Sequence, residues 1–176
     1  MYIAIYIIAA VVVLFILLAA IAPKKYESNR SIVINRPLGE VFQYLKYVKN
    51  QDYWSPWKER DPNMKQNFTG HDGTIGFISA WESDHKQVGS GEQEIKNIVE
   101  NEKIETELRF LKPWKSISQA YIITEDAGNY STKVIWGFHG VSKPPMNIMM
   151  LFMNMDKAVG KDFEEGLAKL KTILEK

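Results

Sequence analysis

Residues 147–174 read NIMMLFMNMDKAVGKDFEEGLAKLKTIL. Ile148, Phe152, Met155, Val159, Phe163, Leu167, Leu170 and Leu174 recur every three or four positions, which is the spacing of one face of an α-helix. Acids and bases in near balance occupy the opposite face. The pattern predicts a long helix over 147–174, opened by Pro144-Pro145. An amphipathic helix of this length must bury its apolar stripe against something. The rest of the chain has to supply that surface.

Working upstream, strand-like runs cover 66–70, 75–83, 90–99, 103–111, 116–125 and 131–140. Gly73, Gly89, Gly91, Asn101-Glu102, Pro113 and Gly128-Asn129 punctuate them. Val134, Trp136 and Phe138 alternate with Ile135, Gly137 and His139. Ile104, Leu108 and Phe110 alternate with Glu105, Glu107 and Arg109. Period two with one charged face describes a sheet wet on one side and covered on the other. Residues 50–65 form a loop rich in Asp, Pro and Trp, where Pro56 and Pro62 bar a long regular element. A helix opens at Pro37 with Val41, Phe42, Leu45 and Val48 on one face. A strand covers 30–35, and 24–29 reads as a polar linker. Strand, helix, many antiparallel strands and a terminal helix make an α+β domain. Its layered solution is a curved antiparallel sheet gripping the last helix.

Residues 2–22, YIAIYIIAAVVVLFILLAAIA, carry no charge. As a helix they reach about 30 Å at about 1.5 Å per residue, which matches the roughly 30 Å hydrocarbon core of a bilayer. Tyr2 and Tyr6 suit an interfacial belt. The expectation is a retained single-pass anchor over 1–23, a linker over 24–29 and a folded domain over 30–176. Ala20-Ile21-Ala22 resembles a signal-peptide cleavage site. Against cleavage stand the absence of Lys or Arg before the span, the length of the apolar run, and Pro23 after the cut. Lys24, Lys25 and Arg30 follow the span, so the positive-inside rule puts the domain in the cytoplasm. Lys and Arg total 22 against 21 for Asp and Glu, a balance that argues against nucleic acid as a partner. With no cysteine, disulfides, thiolate catalysis and cysteine-based zinc sites are excluded.

Five segments resemble one family. They are RSIVINRPLGEVFQYL (30–45), YWSPWKERDP (53–62), GTIGFISAWESDHKQVGSGEQEI (73–95), LRFLKPW (108–114) and MNMDKAVGKDFEEGLAKLK (153–171). The chain is similar to the SRPBCC or START-like helix-grip superfamily, and its wording is closer to the polyketide cyclase/dehydrase-like branch. The resemblance covers essentially all of 30–174. It implies a cavity between the sheet and the last helix. It does not choose a function, because the superfamily contains lipid carriers, cyclases, hydrolases and co-chaperones.

The expected cavity wall follows from that placement. Met146, Met149, Met150, Met153 and Met155 cluster, and methionine suits a wall that adapts to different ligands. Trp54 and Trp57 flank Ser55-Pro56 and could close one end. The expected lining is Trp54, Trp57, Phe77 and Trp81, with Trp136, Met149, Phe152 and Met153. The plainer reading of each is core filling.

Catalytic signals are weak. His71, His85 and His139 are scattered without metal-ligand spacing, and His139 has outward parity. Glu92 and Glu94 share a face opposite Ile95. No GxSxG elbow occurs, and Gly89-Ser90-Gly91 lacks the Lys and helix of a phosphate loop. No cofactor is implied. The expected function is membrane-anchored binding of a hydrophobic small molecule or lipid in a cavity between the sheet and the C-terminal helix. The alternatives are a cyclase or dehydratase acting on such a ligand, and an interaction or regulatory module with a filled core.

Overall fold

The structure is a computed structural model that describes residues 2–176. Met1, the first residue of the expected anchor, lies outside them. Helix α1 spans Tyr2–Ile21, and within it only Ala19 is buried. It is long and apolar enough to cross a membrane, a test that a signal sequence also passes.

Strand β1 (Lys25–Ile34) follows, then helix α2 (Leu38–Lys46), a 3-10 helix at Val48–Tyr53 and helix α3 (Pro56–Arg60). Six further strands come next: β2 (Lys65–Thr69), β3 (Ile78–Glu82), β4 (Ser90–Val99), β5 (Lys103–Lys112), β6 (Ser116–Gly128) and β7 (Ser131–Val141). A 3-10 helix at Met146–Leu151 leads into helix α4 (Met155–Leu174). The seven strands form one sheet in the order β1-β7-β6-β5-β4-β3-β2, and every pairing is antiparallel. Hairpins connect β2 through β7 in sequence. β1 instead returns to the last strand, pairing from Lys25↔Val141 to Ile34↔Thr132.

Helix α4 covers the inner face of this sheet. Phe163, Leu167 and Leu170 of α4 bury against Ile34, Ile122, Val134, Trp136 and Phe138, and Val41, Phe42 and Leu45 of α2 close the same core. The α+β architecture expected from the sequence is therefore present, with one apolar helix ahead of it.

Three local expectations are corrected. Residues from Lys25 onward are strand, not linker. Their polarity misleads because the inward-facing polar groups have partners on α4. Ser28 Oγ donates to Asp156 Oδ1 at 2.8 Å, and Arg30 meets Asp156 at 2.7 Å and Glu164 at 2.6 Å. Gly160 leaves room for that seam, since a Cβ there would run into the Arg30 guanidinium as it is held by Asp156 and Glu164. The last helix begins at Met155, not at 147. Asn154 has an extended backbone, and its side chain accepts the Lys157 N–H at 3.0 Å, an N-cap that ends the helix there. The strand expected over 75–83 shortens to Ile78–Glu82, because Gly73 and Gly76 adopt positive φ in the preceding loop.

Candidate functional site

Beneath α4, aromatic rings fill the grip. Trp54 is 1% exposed and stands edge-on to Trp136 at 4.7 Å between centroids. Trp136 in turn meets Phe163 at 4.5 Å and Trp57 at 5.7 Å. Loop and sheet come together here because Pro56 starts α3 at its first position and α3 is tied to α4 by the Arg60–Asp162 ion pair. Gly166 lets Trp136 lie against the helix; a Cβ would stand 2.8 Å from the ring. The void beside Trp136, bounded by Leu45, Val48 and Ile122, measures about 10 Å³. That is room for at most one water. The indole N–H of Trp54 is buried with no acceptor among the described residues.

The inner face continues past α4 onto β3, β4 and β5. Trp81 lies across Gly91, where a Cβ would stand 2.7 Å from the indole. Its ring meets Phe110 edge-on at 6.1 Å, and its Nε1 donates to the Val88 carbonyl at 3.3 Å. Trp81 opposes Gly91, Gly91 opposes Phe110, and Gln93 opposes Leu108. Trp81, Leu108 and Phe110 are half-buried. Gln93 donates to Thr106 Oγ1 at 3.1 Å beside them. This is a partly open apolar platform with a few neutral polar groups.

The eight expected lining residues therefore divide. Trp54, Trp57 and Trp136 come together as one aromatic block. Trp81 stands on the open part of the inner face. Phe77 lies in a separate cluster with Val48 and Ile95 and stacks on Phe68 at 6.1 Å. Met149, Phe152 and Met153 lie in the segment between β7 and α4, and Phe152 is 83% exposed. That segment touches α1: the buried Asn147 Nδ2 donates to the carbonyls of Ala19 at 2.8 Å and Ala22 at 3.1 Å. Leu108 and Phe110 were visible in the sequence as the apolar half of an alternation, though not as platform residues. Asn147 carried no signal beyond being polar among methionines.

The outer face is charged. Arg109 meets Glu92 at 2.5 Å, Glu94 at 2.7 Å and Glu107 at 2.5 Å. Its guanidinium holds the Glu94 and Glu107 carboxyls below the ordinary glutamate value. Nearby, an open depression of about 630 Å³ is lined by Glu27, Lys103, Glu105, Tyr121 and His139. The Tyr121 hydroxyl donates to Glu27 at 2.8 Å, and burial raises its pKa. These charges largely satisfy one another. Among the described residues no group of three or more His, Cys, Asp or Glu could hold a metal ion.

No family model matches the chain, and no curated protein matches it in sequence. Solved structures do match. A protein from Nitrosospira multiformis is similar at 14% identity and a TM-score of 0.59, over 85% of this chain and 96% of that one. The Aha1 dimer from Colwellia psychrerythraea is similar at 17% identity and 0.53, over 85% and 96%. Ara h 8.0201 is similar at 12% and 0.55, over 86% and 95%. At such identities the likeness concerns the fold, which is the helix-grip fold.

Proposed function

We propose that this chain is a membrane-anchored helix-grip domain that binds a hydrophobic small molecule or lipid on the inner face of its sheet. The observation that carries the reading is the half-buried platform of Trp81 and Phe110, which lies over Gly91 outside the core packed by α4 and is joined to that core by Leu108. Apolar walls with a few placed polar groups suit such ligands. The methionine-rich segment between β7 and α4 supplies an adaptable rim. Deeper entry requires Trp54 and Trp57 to move, since the void beside Trp136 is far below the roughly 300 Å³ of ordinary ligand sites. In this reading α1 is a retained span, residues 1–23 are the anchor, and the domain faces the cytoplasm behind Lys24 and Lys25. A tethered platform then samples ligands already concentrated in the bilayer.

Native mass spectrometry of the detergent-extracted chain tests the ligand, with a fluorescent fatty acid as the binding reporter. A co-purifying lipid mass and saturable, displaceable binding are expected. Bare protein with no saturable binding overturns the reading. The packed aromatic block under α4 favours a second reading, an interaction module that works through its surface, and that result would select it. An enzyme acting on the same ligand would need an ionisable group on the platform. The polar groups there include Ser79, Gln93, Thr106 and Ser118, and the ionisable group beside them is the Tyr26 phenol, 2.9 Å from the Ser118 hydroxyl. Intact mass reports whether α1 is retained. Protease added outside sealed cells should leave the domain whole; digestion from outside would reverse the orientation.

A further inference from the structure

The ends of four adjacent strands meet along one edge of the sheet. Lys25 of β1 opposes Val141 of β7, Gly140 opposes Ser118 of β6, and Ser116 opposes Phe110 of β5. Past this row projects the β5–β6 hairpin, Leu111-Lys112-Pro113-Trp114-Lys115-Ser116-Ile117, exposed at every residue. Trp114 at its tip is 66% exposed. The segment holding Met149, Phe152 and Met153 leaves β7 from the same edge. Helix α1 arrives there too. Its last helical residue, Ile21, is followed by β1 at Lys25. The Ser142 N–H donates to the Lys24 carbonyl at 2.8 Å, and Asn147 clasps Ala19 and Ala22. The apolar helix, the tryptophan-tipped hairpin and the methionine-rich segment therefore share one end of the domain.

Exposed lysines gather at the same end. Lys24, Lys25, Lys112, Lys115 and Lys143 are exposed at this edge. The carboxylates near it include Glu82, which meets Lys112 at 3.4 Å, Asp84 in the following turn, Asp61, which accepts from Ser83, and Glu27 on β1, which accepts from the Tyr121 hydroxyl. At the far end of the sheet the β4–β5 and β6–β7 turns carry Glu100, Glu102, Glu125 and Asp126, of which Glu100 is paired to Lys46 and Glu125 to Lys133. The geometry points to the near edge as a docking surface for an anionic bilayer, with Trp114 and Phe152 seated at the interface and the lysines against headgroup phosphates. Aromatic side chains favour that layer, and basic residues beside a span are attracted to anionic lipid. The short, hydrogen-bonded connection to α1 holds the domain against the surface. The inference rests on α1 lying in the bilayer and does not depend on the ligand.

The cysteine-free chain allows single labels. Trp114→Cys, Phe152→Cys and, at the far end, Glu102→Cys are labelled with an environment-sensitive fluorophore. The full chain is reconstituted through α1 into phosphatidylcholine vesicles with or without phosphatidylglycerol. In the anionic vesicles, labels at 114 and 152 should lose roughly threefold or more of their quenching by aqueous iodide, as expected for groups carried into the interface. They should gain quenching by a nitroxide placed near the headgroups, while the label at 102 changes in neither. Lys112→Glu with Lys115→Glu, or salt near 0.5 M, should reverse much of the shielding at 114. Equal aqueous access at all three sites, with the chain floating with the vesicles, overturns the docking and leaves the anchor standing. Failure to float overturns both. Shielding that persists in lipid-free detergent and grows with protein concentration overturns it in favour of a second copy on this edge.

Discussion

Replacing Phe163 by alanine is the sharpest test of the grip. The ring is 4% exposed. It contacts Trp136 at 4.5 Å, Phe138 at 5.8 Å and Trp57 at 6.0 Å between centroids. A Phe→Ala change in a core costs about 3–5 kcal/mol from lost transfer energy and the residual cavity. Aromatic pairs add about 0.5–1.5 kcal/mol each beyond area, so the upper part of that range is expected. For a chain of this size about 1 kcal/mol moves Tm by about 2–4 °C, so a fall of roughly 10–15 °C should follow. Lys161 sits two residues earlier with its side chain 81% exposed, paired to Glu165 at 3.5 Å. Lys161→Ala should cost under about 0.5 kcal/mol. Urea and thermal unfolding of the detergent-solubilised chain, read by near-ultraviolet circular dichroism, compares the two. Equal losses from both variants would refute the face assignment of α4 and with it the packing of the helix on the sheet.

Other outcomes follow from the same contacts. Gly166→Ala places a Cβ 2.8 Å from Trp136 and 3.2 Å from Pro56; overpacking of this kind costs about 1–3 kcal/mol, readable as a lower urea midpoint. Gly91→Ala meets the Arg109 carbonyl at 2.6 Å and Trp81 at 2.7 Å, so it should lift Trp81 off the platform and weaken binding of the fluorescent fatty acid more than Trp114→Ala does. The carboxyls of Glu94 and Glu107 are lowered from 4.5 in the folded chain by Arg109. Such groups contribute stability that is present above the unfolded value and lost as pH falls through the lower folded values. Acid titration of stability should therefore fall more steeply below about pH 4.5 in the parent than in Arg109→Gln, and identical profiles would count against the cluster. Asn147→Ala removes both donors to the end of α1, so amide exchange at residues 18–24 should speed up while the sheet stays protected.

The periodicities of this chain determined its architecture because they are local physics. The alternation at 103–111 and 131–140 chose strands with one covered face, and the three-four stripe from Met155 to Leu174 chose the helix that covers it. The uncharged run over 2–22 determined an apolar helix for the same reason: composition alone decides whether a segment prefers lipid to water. What the tertiary structure decided were the places where distant residues satisfy each other. β1 extends back to Lys25 because Arg30 and Ser28 find Asp156 and Glu164 across the seam, more than a hundred positions away in sequence. The apolar spacing at Ile148 and Phe152 looked helical, yet the Asn154 cap and the Asn147 bonds to α1 turned that segment aside and left Phe152 in the open. Trp54 and Trp81 are alike as letters. One became a plug and the other a platform because α4 reaches only part of the inner face, and where a helix stops on a curved sheet depends on packing over the whole domain and not on any local pattern.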